Sequence, residues 1–157
     1  MNLAVLYNDL GRYAEAKKLY GHLQGKHKGE TAEIEPVLRG RLSNMHADLG
    51  DVYRSIGLYV HAAVEYKKAL DFNPVYADIR TKLGMALREA GKTQESLAEL
   101  KRALKDKPRY LTAKVQLGIS YYTAGKLKEA RKEWEEVLKL DPANESAKTY
   151  LKLGEKK

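Results

Sequence analysis

The chain has 157 residues, 43% hydrophobic and 32% charged, which is enough for one domain with a buried core and too apolar for a disordered chain. It contains no cysteine, which excludes disulfides and thiolate metal sites. Its net charge of +8 permits acidic partners without requiring them, and no apolar run approaches the ~20 residues of a membrane span.

The opening MNLAVLYNDLG lacks the basic region and long apolar core of a signal peptide, so a cytoplasmic location is the default expectation. Within residues 1–30, Ala4, Tyr7, Gly11, Ala16 and Tyr20 occupy small, large, turn, small and large positions. That is the pattern of a helical hairpin whose first helix has lost its opening turn. Gly25 and Gly29 flank a basic stretch, which predicts a loop near residues 25 to 32. Pro36 suits a first helical turn, and Val37, Leu38, Leu42, Met45 and Leu49 recur at helical spacing. The next helix is therefore expected to start early, near residue 34, with the insertion running to about residue 42.

A 34-residue period then takes over. Leu-Gly recurs at Leu49-Gly50, Leu83-Gly84 and Leu117-Gly118. In the same phase run Tyr53, Leu87 and Tyr121, then Gly57, Gly91 and Gly125, then Ala62, Ser96 and Ala130. Tyr66, Leu100 and Trp134 follow, then Ala69, Ala103 and Val137, and each unit closes on Pro74, Pro108 or Pro142. Each unit reads as two helices. In the last, Leu111, Lys114, Leu117, Gly118 and Tyr121 trace one face, Gly125 supplies a left-handed helix stop, and Leu127, Ala130, Arg131, Trp134 and Val137 carry the stripe onward. Asp141-Pro142 ends the second helix, with the proline expected to open the next. A glycine inside a helix costs ~1 kcal/mol against alanine. Gly118 is expected to repay that by letting the two helices touch, facing Ala130 with Tyr121 and Trp134 filling the space beyond.

This order of large, small and proline positions, three units in phase over roughly residues 43 to 144, resembles the tetratricopeptide repeat family. The resemblance implies an all-α, right-handed superhelix of helical hairpins in one domain spanning 1–157. Its parts would be a partial first repeat over 1–30, full repeats at 43–76, 77–110 and 111–144, and a polar capping helix over 145–157. One position departs from the family pattern: His46, Arg80 and Lys114 stand where a large aromatic is usual.

The resemblance also places first helices along a concave groove. The groove set is then Asn44, Ala47, Asp48, Asp51 and Arg54; Asp78, Thr81, Lys82, Met85 and Arg88; and Thr112, Val115, Gln116, Ile119 and Tyr122. Asn2, Val5 and Asn8 extend it toward the N-terminus. The set runs from acidic, through Lys82 and Arg88, to an apolar end at Val115, Ile119 and Tyr122, unless Tyr150 and Leu153 of the cap cover that end. What this implies is a non-catalytic scaffold binding a peptide or helix of a partner protein, with apolar anchors near Met85, Ile119 and Tyr122 and acidic partner groups near Lys82 and Arg88. Some family members clamp a chaperone's carboxylate tail with lysines, an arginine and asparagines. Asp48 and Asp51 would repel such a tail here, and only Lys82 fits.

No catalytic constellation emerges. GHLQGKH has three residues between its glycines, and histidine follows Lys26, so it is not a phosphate loop. His22, His27 and Glu30 fall short of a zinc set and read as a surface loop. Neither metal nor cofactor is expected. KRALKDKPR at 101–109 and KLKEARK at 126–132 are the densest basic patches, and Lys67-Lys68 and Lys101-Arg102 share one repeat position on the outer helices. Acidic residues interrupt that stripe, so nucleic-acid binding is the weaker alternative. Self-association through an uncapped N-terminal edge is the stronger one.

Overall fold

The computed structural model describes residues 31–154, and their regular structure is entirely helical. The helices are α1 (Thr31–Ser55), α2 (Tyr59–Phe72), α3 (Ala77–Glu89), α4 (Thr93–Asp106), α5 (Leu111–Thr123), α6 (Leu127–Leu140) and α7 (Glu145–Gly154). The hairpin expected over residues 1–30 lies outside the described residues, together with Asn2, Val5, Asn8, His22, His27 and Glu30. Each helix packs on the next in the chain, α3 also packs on α5, and α5 on α7.

Each hairpin turns on one glycine. Gly57, Gly91 and Gly125 have φ of 79°, 79° and 75°, a region costly for any residue with a Cβ. At the last, Gly125 N–H donates to Tyr122 O at 3.0 Å and Lys126 N–H to Tyr121 O at 2.9 Å. The same pair of bonds recurs at Gly57 and Gly91, and it satisfies carbonyls that the helix end leaves without partners. Between units, Asn73, Lys107 and Asp141 precede proline with ψ of 90°, 83° and 87°, outside the helical region. The prolines stand one turn earlier than expected. They do not open the next helix but a β-turn before it, closed by bonds such as Tyr110 N–H to Lys107 O at 3.1 Å. Proline's fixed φ suits the second position of that turn.

Inside each hairpin the in-phase positions form the core. Ala62, Tyr66, Ala69, Leu100, Ala103, Ala130, Trp134 and Val137 are all buried. The expected contact of Gly118 with Ala130 is corrected. A Cβ on Gly118 would collide with Nε1 of Trp134 and lie 2.7 Å from its Cδ1. Likewise a Cβ on Gly50 would lie 2.6 Å from Cε1 of Tyr66, and one on Gly84 2.7 Å from Cγ of Leu100. The glycine makes room for the large residue of the second helix, because that is the side chain whose volume needs the space.

α1 begins at Thr31, three residues before the expected start, and takes in the end of the expected loop. It has 25 residues where α3 and α5 have 13. The surplus lies ahead of residue 43, so the insertion is itself helical, about 18 Å long at the rise of an α-helix. Pro36 sits inside α1, not at its start, and forgoes one backbone hydrogen bond there. Val37 is 58% exposed, so the apolar stripe carried backward does not reach the core at that point.

Candidate functional site

The expected groove residues divide by column. Ala47, Thr81 and Val115, one helical position in three successive units, are all buried. They are withdrawn from the site. Ala47 clusters with Ile79 of the following unit and Val115 with Ala147 of α7, while Thr81 turns its hydroxyl to Ala77 O of its own helix. Asn44, Asp48, Asp78 and Thr112 are exposed, and Asp51, Arg54, Lys82, Met85, Arg88, Gln116, Ile119 and Tyr122 are half-buried.

Asp51, Arg54, Lys82 and Arg88 make bonds across units, and Asp48 and Asp78 are in none of them. Lys82 Nζ lies 2.5 Å from Asp51 Oδ2, and Tyr66 donates its hydroxyl to Asp51 Oδ1 at 2.6 Å. Burial and that bond push the Tyr66 hydroxyl well above its ordinary pKa. Arg54 grips Glu89 with two bonds of 2.7 Å, which raise its guanidinium's pKa. Arg88 donates to Gln116 Oε1 at 2.9 Å, to Ser120 Oγ at 3.2 Å and to Gln116 O at 3.3 Å. Burial lowers its pKa from the ordinary value. Lys82 and Arg88, expected to meet a partner's acidic groups, are thus engaged by the fold itself.

At the C-terminal end the cap does part of what was expected. Tyr150 stacks on Trp134 at 5.4 Å, and Ile119 and Tyr122 pack against the same cluster. Leu153 is 46% exposed and is not part of this cluster; Leu151 packs against it instead. Asn144 caps α7 by accepting the Ala147 N–H at 3.1 Å. A cavity of about 320 Å³ remains beside Tyr122, Leu127, Trp134 and Leu151, rimmed by Lys128 and Arg131.

A second set of pairs had a sequence signal that went unread. His46 Nδ1 lies 2.7 Å from Glu65 Oε2, Arg80 Nη1 2.9 Å from Glu99 Oε2, and Lys114 Nζ 3.8 Å from Glu133 Oε2 and 2.6 Å from Glu136 Oε2. Glu65, Glu99 and Glu133 recur every 34 residues, in phase with His46, Arg80 and Lys114. On the outer helices Lys68 pairs with Glu65 and Arg102 with Glu99, so the basic stripe is partly neutralised. His61 is exposed, with its ring 5.5 Å from that of Tyr53. Among the described residues no group of three or more His, Asp or Glu could hold a metal, and no helix is long and apolar enough to cross a membrane.

Two sequence models of the tetratricopeptide repeat match the chain, one over residues 81–147 and the other over 1–22, and together they span more than half of it. The chain belongs to the tetratricopeptide repeat family. The second tetratricopeptide domain of human RPAP3, solved with the HSP70 peptide SGPTIEEVD, is 26% identical. That match covers 78% of this chain and 99% of that one, with a TM-score of 0.69. The first such domain of Spaghetti (RPAP3), bound to the HSP90 peptide SRMEEVD, is 25% identical, covering 74% of this chain and 93% of that one at a TM-score of 0.70. MamA, at 21% identity and TM-score 0.66, shares the fold over 98% of this tetratricopeptide chain and 83% of its own. No curated protein sequence matches the chain. The all-α superhelix of hairpins is the fold of this chain.

Proposed function

We propose that this tetratricopeptide chain is a non-catalytic protein–protein interaction scaffold that takes an extended or helical segment of a partner on the inner face of α1, α3 and α5. The observation that carries the reading is the trio Met85, Ile119 and Tyr122. They stay half-buried on helices whose other large apolar side chains are mostly buried. Partly uncovered apolar groups on a fixed surface are what a partner's side chains can dock against. The cross-unit bonds Arg54–Glu89 and Arg88–Gln116 hold the three helices in place beforehand, which lowers the ordering cost of binding.

The RPAP3 domains support a peptide as the partner's form. Their acidic peptides do not carry over, because Asp51 already engages Lys82 and Asp48 adds a second carboxylate beside it. The test compares partner capture by the wild type and by Ile119→Ala/Tyr122→Ala in extract from the source organism, with thermal unfolding of both. Loss of the captured partner from a still-folded variant supports the reading; equal capture by both removes it.

A second reading, self-association through the N-terminal edge, is favoured by Val52. It is 56% exposed, whereas Ala86 and Ser120, its counterparts in the next two units, are 0% exposed under the preceding hairpin. Sedimentation over a range of concentrations separates the readings, because a concentration-independent monomer leaves only the first.

A further inference from the structure

We propose that the cavity of about 320 Å³ at the C-terminal end takes one aromatic side chain of a partner protein, with the acidic residue next to it held by Lys128 and Arg131. The site goes beyond the inner-face reading. It is built from α6, α7 and the end of α5, and of the inner-face anchors it uses Tyr122 alone. The 34-residue period explains why the cavity exists. At the junction of α4 with α5, Leu97, Leu100 and Leu117 pack together with Tyr121 against them. Thirty-four residues on, their counterparts are Arg131, Trp134, Leu151 and Glu155. Trp134 and Leu151 keep the apolar walls, but the positions of Leu97 and Tyr121 have become charged. An apolar space is left that the chain's own repeat pattern fills with a tyrosine one unit earlier.

The lining sets the chemistry of the occupant. The rings of Tyr122 and Trp134 are 6.2 Å apart and tilted by 43°, a geometry in which a third ring finds edge and face contacts. Leu127, also in the lining, is 39% exposed. The volume is at the bottom of the ~300–1,000 Å³ of ligand sites, so it suits one side chain and not a whole helix. Lys128 and Arg131 are one turn apart on α6 and so share a side of it. Both are exposed, and neither has a hydrogen bond or ion pair among the described residues. Glu133 and Glu136 of the same helix are engaged by Lys114. Two unanswered cations beside an apolar space match an anion joined to an apolar group. A carboxylate suits the guanidinium fork, and the ammonium adds a second attraction.

The test uses Trp134, the single tryptophan of the chain and part of the lining, as its reporter. The full chain is titrated with short acetylated and amidated peptides, rich in serine and glycine, that carry Phe-Asp, Phe-Asn or Ala-Asp at their centre. The Phe-Asp peptide is expected to change Trp134 emission saturably. The Phe-Asn peptide should bind about five-fold more weakly, as for an ion pair at an exposed rim, and the Ala-Asp peptide not at all. Salt should narrow the difference between the first two. Lys128→Gln/Arg131→Gln, confirmed folded by circular dichroism, is expected to bind those two equally. Met85→Ala, on the inner face, should leave the binding unchanged, so the two readings fail separately; if it abolishes binding, the peptide lies on the inner face and the cavity proposal falls. No emission change with any peptide, equal affinity for Phe-Asp and Phe-Asn, Ala-Asp binding as tight as Phe-Asp, or a preference that survives the double variant each overturns the proposal. So does tighter binding of 3-phenylpropionate than of the Phe-Asp peptide, which makes the occupant a free small acid. Emission that varies with protein concentration in the absence of peptide makes the occupant a second copy of the chain, and overturns it too.

Discussion

Nδ1 of His46 lies 2.7 Å from Oε2 of Glu65 inside the α1–α2 hairpin, both residues are buried, and the His46 ring stacks on Phe72 at 5.6 Å. The same relationship joins Arg80 to Glu99 at 2.9 Å and Lys114 to Glu133 at 3.8 Å. These are the positions where the family's pattern has a large aromatic. Here Arg80 and Lys114 bring a cation, and His46 an imidazole, from the first helix to a carboxylate on the second, so the hairpin is clamped by polar contacts where packing area is usual. Such a pair is worth little against a well-packed apolar substitute, but losing one member strands the other.

Arg80→Ala is therefore expected to destabilise the chain by about 2–3 kcal/mol, because it leaves Glu99 largely buried without its main partner. It also removes a 2.6 Å bond to Pro74 O and a contact with Asp106 at 3.7 Å. Arg80→Ala/Glu99→Ala should recover part of the loss. Urea unfolding followed by circular dichroism measures both. A single-variant loss below about 0.5 kcal/mol, as for an exposed pair, contradicts the clamp.

Gly118→Ala tests the close approach of α5 and α6. Alanine gains ~1 kcal/mol of helix propensity over glycine. Against that stands Trp134, 1% exposed and fixed by a bond from Nε1 to Val115 O at 3.2 Å, which cannot retreat from a new methyl. Overpacking wins, and a net loss of about 1–3 kcal/mol is expected by chemical denaturation. Gly118→Ala/Trp134→Leu should relieve most of the clash. A stabilised single variant would mean that the helices separate readily.

The sequence carried the hairpins because their signals are local and periodic. Gly57, Gly91 and Gly125 mark the turns, and Tyr66, Leu100 and Trp134 mark the core, each within one 34-residue phase. Helical spacing alone grouped buried Ala47, Thr81 and Val115 with the exposed and half-buried positions of the first helices, and it did not show the contacts between units. Arg54 finds Glu89, Lys82 finds Asp51 and Arg88 finds Gln116 on the next unit's helix, so those pairs depend on how units stack. Val115 misled for a related reason: periodicity on α5 alone cannot show that Ala147 of α7 arrives to cover it. A helix from near residue 34 was legible in Pro36 and the apolar spacing behind it; the few residues from 31 were missed because Pro36 reads as a first-turn residue and lies further inside the helix.

Glu65 and Glu133 should respond to pH in opposite senses. Burial pushes Glu65 up, but hydrogen bonds from Lys68 and His46 outweigh it and hold its carboxyl below the usual value. A folded-state value below the unfolded one adds stability at neutral pH that is lost as pH falls through the folded value. Glu65→Gln is thus expected to cost about 1–2 kcal/mol at pH 7 and progressively less in acid. For Glu133, burial raises the carboxyl's pKa more than Lys114 lowers it. The folded chain then holds that proton more tightly than the unfolded chain, so stability falls as pH rises through the window between the two values. Glu133→Gln should therefore stabilise by up to about 1 kcal/mol at pH 7 and do nothing below that window. Unfolding midpoints between pH 3 and 7 decide it, and parallel responses in the two variants refute it.

The cross-unit bonds of the inner face should differ in weight. Lys82 and Asp51 are both more than a third exposed, so Lys82→Ala is expected to change stability by less than about 0.5 kcal/mol. Asp51 keeps the Tyr66 hydroxyl as a donor even then. Arg88 is different. Its guanidinium spans from α3 to Gln116 and Ser120 on α5, and Ser120 is buried with a 2.9 Å bond to Ser96. Arg88→Ala removes three bonds at the junction of two units, for an expected loss of about 1–3 kcal/mol. Hydrogen exchange locates the effect, since amides of α5 should lose protection in Arg88→Ala and keep it in Lys82→Ala. If both variants leave α5 equally protected, Arg88 does not couple the units, and apolar contacts alone join α3 to α5.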